Sequence, residues 1–255
     1  MRRLLVLLPF ALVLVLWQAV SSTGLAPAEV LPSVVAVARA LVDLLGSSDI
    51  YINVLVTLVR CFAGLAVGCL LGIPLGVAMA TSPRIDGFFG PLITATYALP
   101  KTAVVPLFIL WFGVGLRTEV AAVILSALLP LVIYSYHGVR AVPRPLVWSA
   151  AAMGTGRSAM TWRILLPAAM RPTLTGIPTA LGFSFIIGIA TEMLAANLGI
   201  GKLIFQYGES GAYDYMFAAV LALMSVVFVI DAALLRLINH LLRWQDDDRA
   251  GAAHG

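Results

Sequence analysis

VLVTLVRCFAGLAVGCLLGIPLGVAMATSPR, residues 54–84, holds a single charged side chain, Arg60, before Ser82-Pro83-Arg84 ends the run. From Val54 to Ala80 it is 27 residues long, more than the about 20 that an α-helix needs to cross a hydrocarbon core about 30 Å thick. Gly64, Gly68, Gly72 and Gly76 recur at every fourth position and so form one narrow stripe along the helix. Without side chains there, a neighbouring helix approaches backbone to backbone. The stripe reads as a packing seam within the chain, or as a face that slides during a conformational cycle.

The rest of the chain repeats this pattern. Of 255 residues 61% are apolar and 11% charged, and the mean hydropathy is +1.02. Soluble domains carry about 25% charged residues, so a water-facing globule and a disordered chain are both excluded. Further apolar runs cover about Leu4–Val20, Phe88–Phe112 (interrupted by Pro100 and Pro106), Val120–Tyr136, Leu174–Ala196 and Met216–Leu237. The expected fold is all-α: a polytopic membrane protein with six transmembrane helices. Its divisions are an N-terminal helix at 1–22, an external loop with an amphipathic helix at 23–50, a core at 51–240 and a polar tail at 241–255. The first run, behind Arg2 and Arg3, is also compatible with a cleaved signal peptide; its length favours a retained helix.

The formal charge of +4 reports topology rather than a nucleic-acid partner, because the basic residues lie between apolar runs. With the N-terminus inside, eleven Lys and Arg fall on inner segments: Arg2, Arg3, Arg84, Arg140, Arg144, Arg157, Arg163, Arg171, Arg236, Arg243 and Arg249. Three fall outside, namely Arg39, Arg117 and Lys202. That bias predicts both termini in the cytoplasm. Cys61 and Cys69, eight residues apart on one helix, are too distant for a disulfide.

The inner segment His137–Pro172 carries five arginines and no acidic residue, and is partly apolar. Pro145 opens a helix through Met153, Gly154 and Gly156 break it, and a second helix runs from about Arg157 to Leu166 and stops near Pro167. Two short apolar helices meeting at a glycine, outside lipid, need a protein groove to cover them.

Here the chain resembles the permeases of type I ABC importers. Their cytoplasmic loop reads Glu-Ala-Ala, three residues, Gly, nine residues, Ile, one residue, Leu-Pro. In this chain Gly154 is followed at that spacing by Ile164 and Leu166-Pro167, while Trp148, Ser149 and Ala150 occupy the first positions, Trp148 replacing the acidic residue. LPSVVAVARALVDLL (31–45), LVRCFAGLAVGCLLGIPLGVAMA (58–80), LPKTAVVPLFILWFGVG (99–115) and TEMLAANLGIGKLI (191–204) are similar to the subgroup that imports sulfonates, taurine, nitrate, bicarbonate and related small solutes. The resemblance implies that Ser149, Ala150, Gly154, Ile164, Leu166 and Pro167 couple the chain to a cytosolic ABC ATPase dimer. It also implies a second permease copy, as a homodimer, and an external solute-binding protein. ATP and Mg belong to that ATPase: the only Gly-Lys pair, Gly201-Lys202, is followed by Leu203 and has Ala196 where a phosphate-cradling loop needs glycine. The chain itself is not expected to be an enzyme or to bind a cofactor.

Arg60, Lys101 and Glu192 fall in or near apolar spans, where a charge costs at least about 2.5–3.5 kcal/mol at mid-depth. Arg60 and Glu192 read as a structural pair near the outer end, with a gating or path-lining role for Glu192 as the alternative. Lys101 follows Pro100, where a broken helix frees carbonyls; it attracts an anionic solute, or else snorkels or pairs. His137, His240 and His254 show no metal-ligand spacing. A self-sufficient secondary transporter or channel is the competing function; it prefers internal repeats and midplane ionisable residues, and leaves the basic loop unexplained.

Overall fold

Every long apolar run becomes a helix, since a backbone in lipid must satisfy its hydrogen bonds within its own segment. The computed structural model describes residues 2–24, 27 and 30–244; the tail from 245 onward, with His254, lies outside them. In chain order the helices are α1 (Arg2–Ser22), α2 (Val34–Leu45), α3 (Ser48–Thr81), α4 (Pro83–Ala98), α5 (Val105–Phe112), α6 (Leu116–Arg140), α7 (Arg144–Ala152), α8 (Arg157–Ala159), α9 (Leu166–Ala168), α10 (Met170–Leu174), α11 (Gly176–Ala195), α12 (Ile200–Glu209) and α13 (Tyr213–Leu241). A 3₁₀ turn (Lys101–Val104) joins α4 to α5, and a π turn (Met160–Leu165) joins α8 to α9.

Among the described residues four stretches are long and apolar enough to cross a membrane: α3, α6, Met170–Ala195 and α13. The α4–α5 pair, bent by 97°, is long and apolar enough only when its two helices are taken together as one broken span. Pro100 makes the bend. It has no N–H to donate, and it pushes Leu99 into an extended conformation (φ −71°, ψ 135°). Pro106 interrupts nothing: it sits in the first turn of α5, where its missing donor is harmless. The sixth expected crossing corresponds to α1, whose described apolar stretch, Ala11–Ser22, is shorter than a span.

The core is a three-helix seam. Cys61 and Leu65 of α3, Ala127 and Leu131 of α6, and Ala180, Leu181 and Phe185 of α11 are buried together. The glycine stripe sets its spacing. A Cβ at Gly68 would stand 2.8 Å from the Ala127 Cβ, and one at Gly72 would stand 3.0 Å from both Leu128 O and Leu131 Cβ. At Gly64 and Gly76 it would meet Val123 and Val132 still more closely. Gly68→Leu is therefore expected to cost about 3 kcal/mol by overpacking, read as a lower melting temperature in detergent. Gly87→Leu on the open side of α4, where a Cβ meets nothing within 4 Å, is expected to change stability by less than about 0.5 kcal/mol. Equal melting of the two variants would contradict the seam.

A second cluster caps the end of the bundle where α3 begins. Val37, Ala40 and Leu44 of α2 pack with Ile50, with Ile200 and Ile204 of α12, and with Ala218, Ala219 and Leu223 of α13. The helix expected to lie along the interface thus buries one face on protein. α12 was not foreseen: ten residues with two glycines leave no long apolar run to read.

The loop hairpin and the buried charge cluster

At the end of the bundle where α6 finishes, the chain turns into a hairpin. Pro145 stands in the first turn of α7. The helix closes with a paired cap: Thr155 N donates to Ala150 O at 3.1 Å and Gly154 N to Ala151 O at 2.9 Å. This closure puts Gly154 at φ +80°, a left-handed conformation that glycine adopts without a Cβ penalty. The return arm is not the single helix expected over Arg157–Leu166, and it does not stop at Pro167. In a continuous α-helix the Pro167 ring would strike the carbonyl of Arg163. The wider π turn over Met160–Leu165 makes room, and Pro167 then sits in the first turn of α9.

The hairpin has two faces. Val147, Leu165, Leu166 and Ala168 pack on Val77, Val139, Val142 and Ala169, which ties both arms to α3 and α6. The opposite face presents Trp148 (65% exposed), Met153 (78%) and Trp162 (69%), with Arg144, Arg157 and Arg163 exposed beside them. The six residues singled out by the family resemblance therefore divide. Ser149 is exposed, its hydroxyl donating to Pro145 O, and Gly154 is the exposed turn. Ala150 is buried, and Ile164, Leu166 and Pro167 are half-buried. Met153 and Trp162 escaped the sequence reading; their signal is a bulky apolar residue repeated among arginines.

Toward the opposite end, one face of α3 continues the glycine stripe upward as Asn53, Thr57 and Arg60. Arg60 Nη1 lies 2.7 Å from Glu119 Oε2, 3.3 Å from Glu192 Oε1 and 2.6 Å from Leu198 O. The Arg60–Glu119 contact is an ion pair by distance without hydrogen-bond alignment, and among the described residues neither Glu119 oxygen has a hydrogen bond. Glu119 and Glu192 are each 1% exposed. The Thr57 hydroxyl, 2.8 Å from both Glu192 oxygens, donates to that carboxylate.

Three successive amides at the start of α12 bond into this cluster. Gly199 N donates to Asn53 Oδ1 (2.7 Å), Ile200 N to Thr57 Oγ1 (3.0 Å) and Gly201 N to Glu192 Oε2 (3.0 Å). Gly199 has φ +123°, and a Cβ there would collide with the Glu192 carboxyl. The structure brings Arg60 and Glu192 together and adds Glu119, which sits one residue before the apolar run that marked the fourth crossing. The cluster fastens the 196–199 segment and α12 onto α3, α6 and α11.

Lys101 lies apart from this cluster, half-buried at the α4–α5 bend. Its Nζ is 5.2 Å from the centre of the Tyr97 ring and 5.5 Å from that of Phe183. Near the hairpin, Asp86 of α4 accepts from Tyr136 (2.9 Å) and Arg140 (3.2 Å) of α6.

The model of the family described as "binding-protein-dependent transport system inner membrane component" matches residues 72–243. The taurine transport system permease protein TauC of Escherichia coli (strain K12) is 27% identical over 242 residues, covering 93% of this chain and 88% of that one. The riboflavin transport system permease protein RibX of Chloroflexus aurantiacus is 30% identical over 238 residues, covering 92% and 87%. In fold, the chain is similar to the MetNI methionine ABC transporter in an inward-facing conformation: TM-score 0.66 at 19% identity, over 74% of this chain and 94% of that one. The family match spans well over half of the 255 residues, and the chain belongs to the inner-membrane permease components of binding-protein-dependent ABC importers.

Proposed function

We propose that two copies of this chain form the membrane passage of an importer for a small organic anion, with the hairpin end and both termini in the cytoplasm. As a family member the chain is a multi-pass inner-membrane transport subunit. Its energy comes from a separate ATPase subunit and its solute from a solute-binding protein. The observation that carries the coupling assignment is the exposed apolar face of the hairpin, Trp148, Met153 and Trp162, on a loop otherwise rich in arginine. Apolar side chains of that size on a loop outside lipid are stable when a groove on a partner covers them. Leu165 and Leu166 tie the hairpin to α3 and α6, so that closing of a docked ATPase dimer moves those membrane helices as a lever. The glycine seam between α3 and α6 keeps those two helices as one body in that motion.

The anion reading draws on the likeness to a taurine permease and on Lys101. It is tested in proteoliposomes holding the permease, its ATPase and its solute-binding protein, with radiolabelled taurine, ethanesulfonate and riboflavin. ATP-dependent uptake of a sulfonate is the expected result. Uptake of riboflavin alone would replace the anion with a neutral aromatic solute, and ATP-independent uptake would favour a secondary transporter.

A further inference from the structure

Lys101 is the one Lys or Arg side chain among the described residues that combines mid-membrane depth with the lack of a carboxylate at ion-pair distance. Its depth follows from its neighbour. Phe183 lies halfway along the span Met170–Ala195, and the Lys101 amine sits 5.5 Å from that ring. Arg60, which lies well inside α3, is neutralised by Glu119 and Glu192, while Arg117, Arg140, Arg171 and Arg236 lie within about five residues of the ends of their spans. Lys101 has only the faces of Tyr97 and Phe183, and attraction to an aromatic face is weaker than the cost of holding an ammonium in hydrocarbon. Such a cation needs a water-lined space and favours an anion within it.

A space of that kind begins at Tyr97, whose ring the amine faces. Tyr97 also lines a cavity of about 330 Å³ between α4 and α6, which runs along Thr94 and Gly90 toward Asp86, Tyr136 and His137 near the hairpin end. Asp86 does not close it to anions, because Tyr136 and Arg140 hold its carboxylate.

We propose that Lys101, with Tyr97 and Phe183, is the mid-membrane binding site for the transported solute, and that this solute is a small organic monoanion of the sulfonate type. Its oxyanion head meets the ammonium and its short tail lies on the two rings. Release then proceeds along the α4–α6 cavity. The helix break at Pro100 is what allows a side chain of α4–α5 to reach this position at the centre of the span. The site rests on the anion-import reading above and names the residues that would carry it.

The test uses the assembled importer in proteoliposomes, with radiolabelled ethanesulfonate as the probe, and compares Lys101→Met, Lys101→Gln and Lys101→Arg. Loss of a charge-assisted contact is expected to lower sulfonate uptake about tenfold or more in the Met and Gln variants. The Arg variant, which keeps the charge, is expected to retain at least about a third of the wild-type rate. Wild-type uptake by Lys101→Met overturns the site, and so does an Arg variant as inactive as the Met variant. If Met and Gln variants both fail to co-purify with the ATPase, Lys101 is a structural residue and the proposal falls. Failure of the anion-import reading shows in the wild type, where no sulfonate enters. Failure of the site shows in the variants, while the wild type still imports.

Discussion

Arg60→Met is expected to destabilise the permease by about 3–5 kcal/mol, because it leaves two buried carboxylates, Glu119 and Glu192, without their shared cation. In a chain of this size that corresponds to a fall of about 10 °C in melting temperature in detergent. The loss has two sources. The larger is the desolvated negative charge, since Glu119 has no other polar partner among the described residues. The smaller is the bond from Arg60 to Leu198 O, which pins the segment ahead of α12. Adding Glu119→Gln and Glu192→Gln to Arg60→Met removes the charges while leaving oxygen acceptors for Thr57 and Gly201, and is expected to recover at least half of the loss. If the single variant melts within about 1 °C of wild type, or the triple variant melts below the single one, the cluster does not hold this end of the bundle together.

The large features were legible because the bilayer admits few alternatives. A run such as Val54–Ala80 has no stable form in lipid except a helix, and the spacing of Gly64 to Gly76 states which face meets a neighbour. The break at Pro100 followed from proline chemistry alone. What stayed hidden depends on contacts between distant segments. Glu119 went unread, because nothing local distinguishes a carboxylate one residue outside an apolar run from one folded back onto Arg60. Asn53 and Thr57 are ordinary polar residues until their place above the glycine stripe is seen. α12 is too short and too glycine-rich to announce itself, yet its amides complete the cluster.

The hairpin after α6 is the most instructive case. Spacing located the hairpin and its glycine, but not which side chains face outward. That depends on the π turn ahead of Pro167, which rotates the return arm so that Leu165 and Leu166 face α3 and α6 while Trp162 faces away. Trp148, read as a departure from the acidic motif position, proves to be one of the largest exposed groups on the hairpin.

Trp148→Asp combined with Met153→Asp is expected to detach the ATPase without unfolding the permease. Both side chains are more than half exposed, so their replacement leaves the packing of Val147, Leu165 and Leu166 on the membrane helices untouched. Covering a large apolar side chain contributes about 1.5–3 kcal/mol, and an aspartate in its place brings an unpaired charge into the groove. Two such losses weaken association by roughly a thousandfold or more. Alanine at the neighbouring Ser149, whose hydroxyl is already satisfied by Pro145 O, is expected to cost little. The deciding measurement is quantitative co-purification of the ATPase with tagged permease from solubilised membranes. Full occupancy with Ser149→Ala and loss of the ATPase from a double variant that still melts like wild type is the expected result. A double variant that keeps its ATPase at wild-type stoichiometry and still drives ATP-dependent uptake would contradict the assignment of the hairpin as the coupling element.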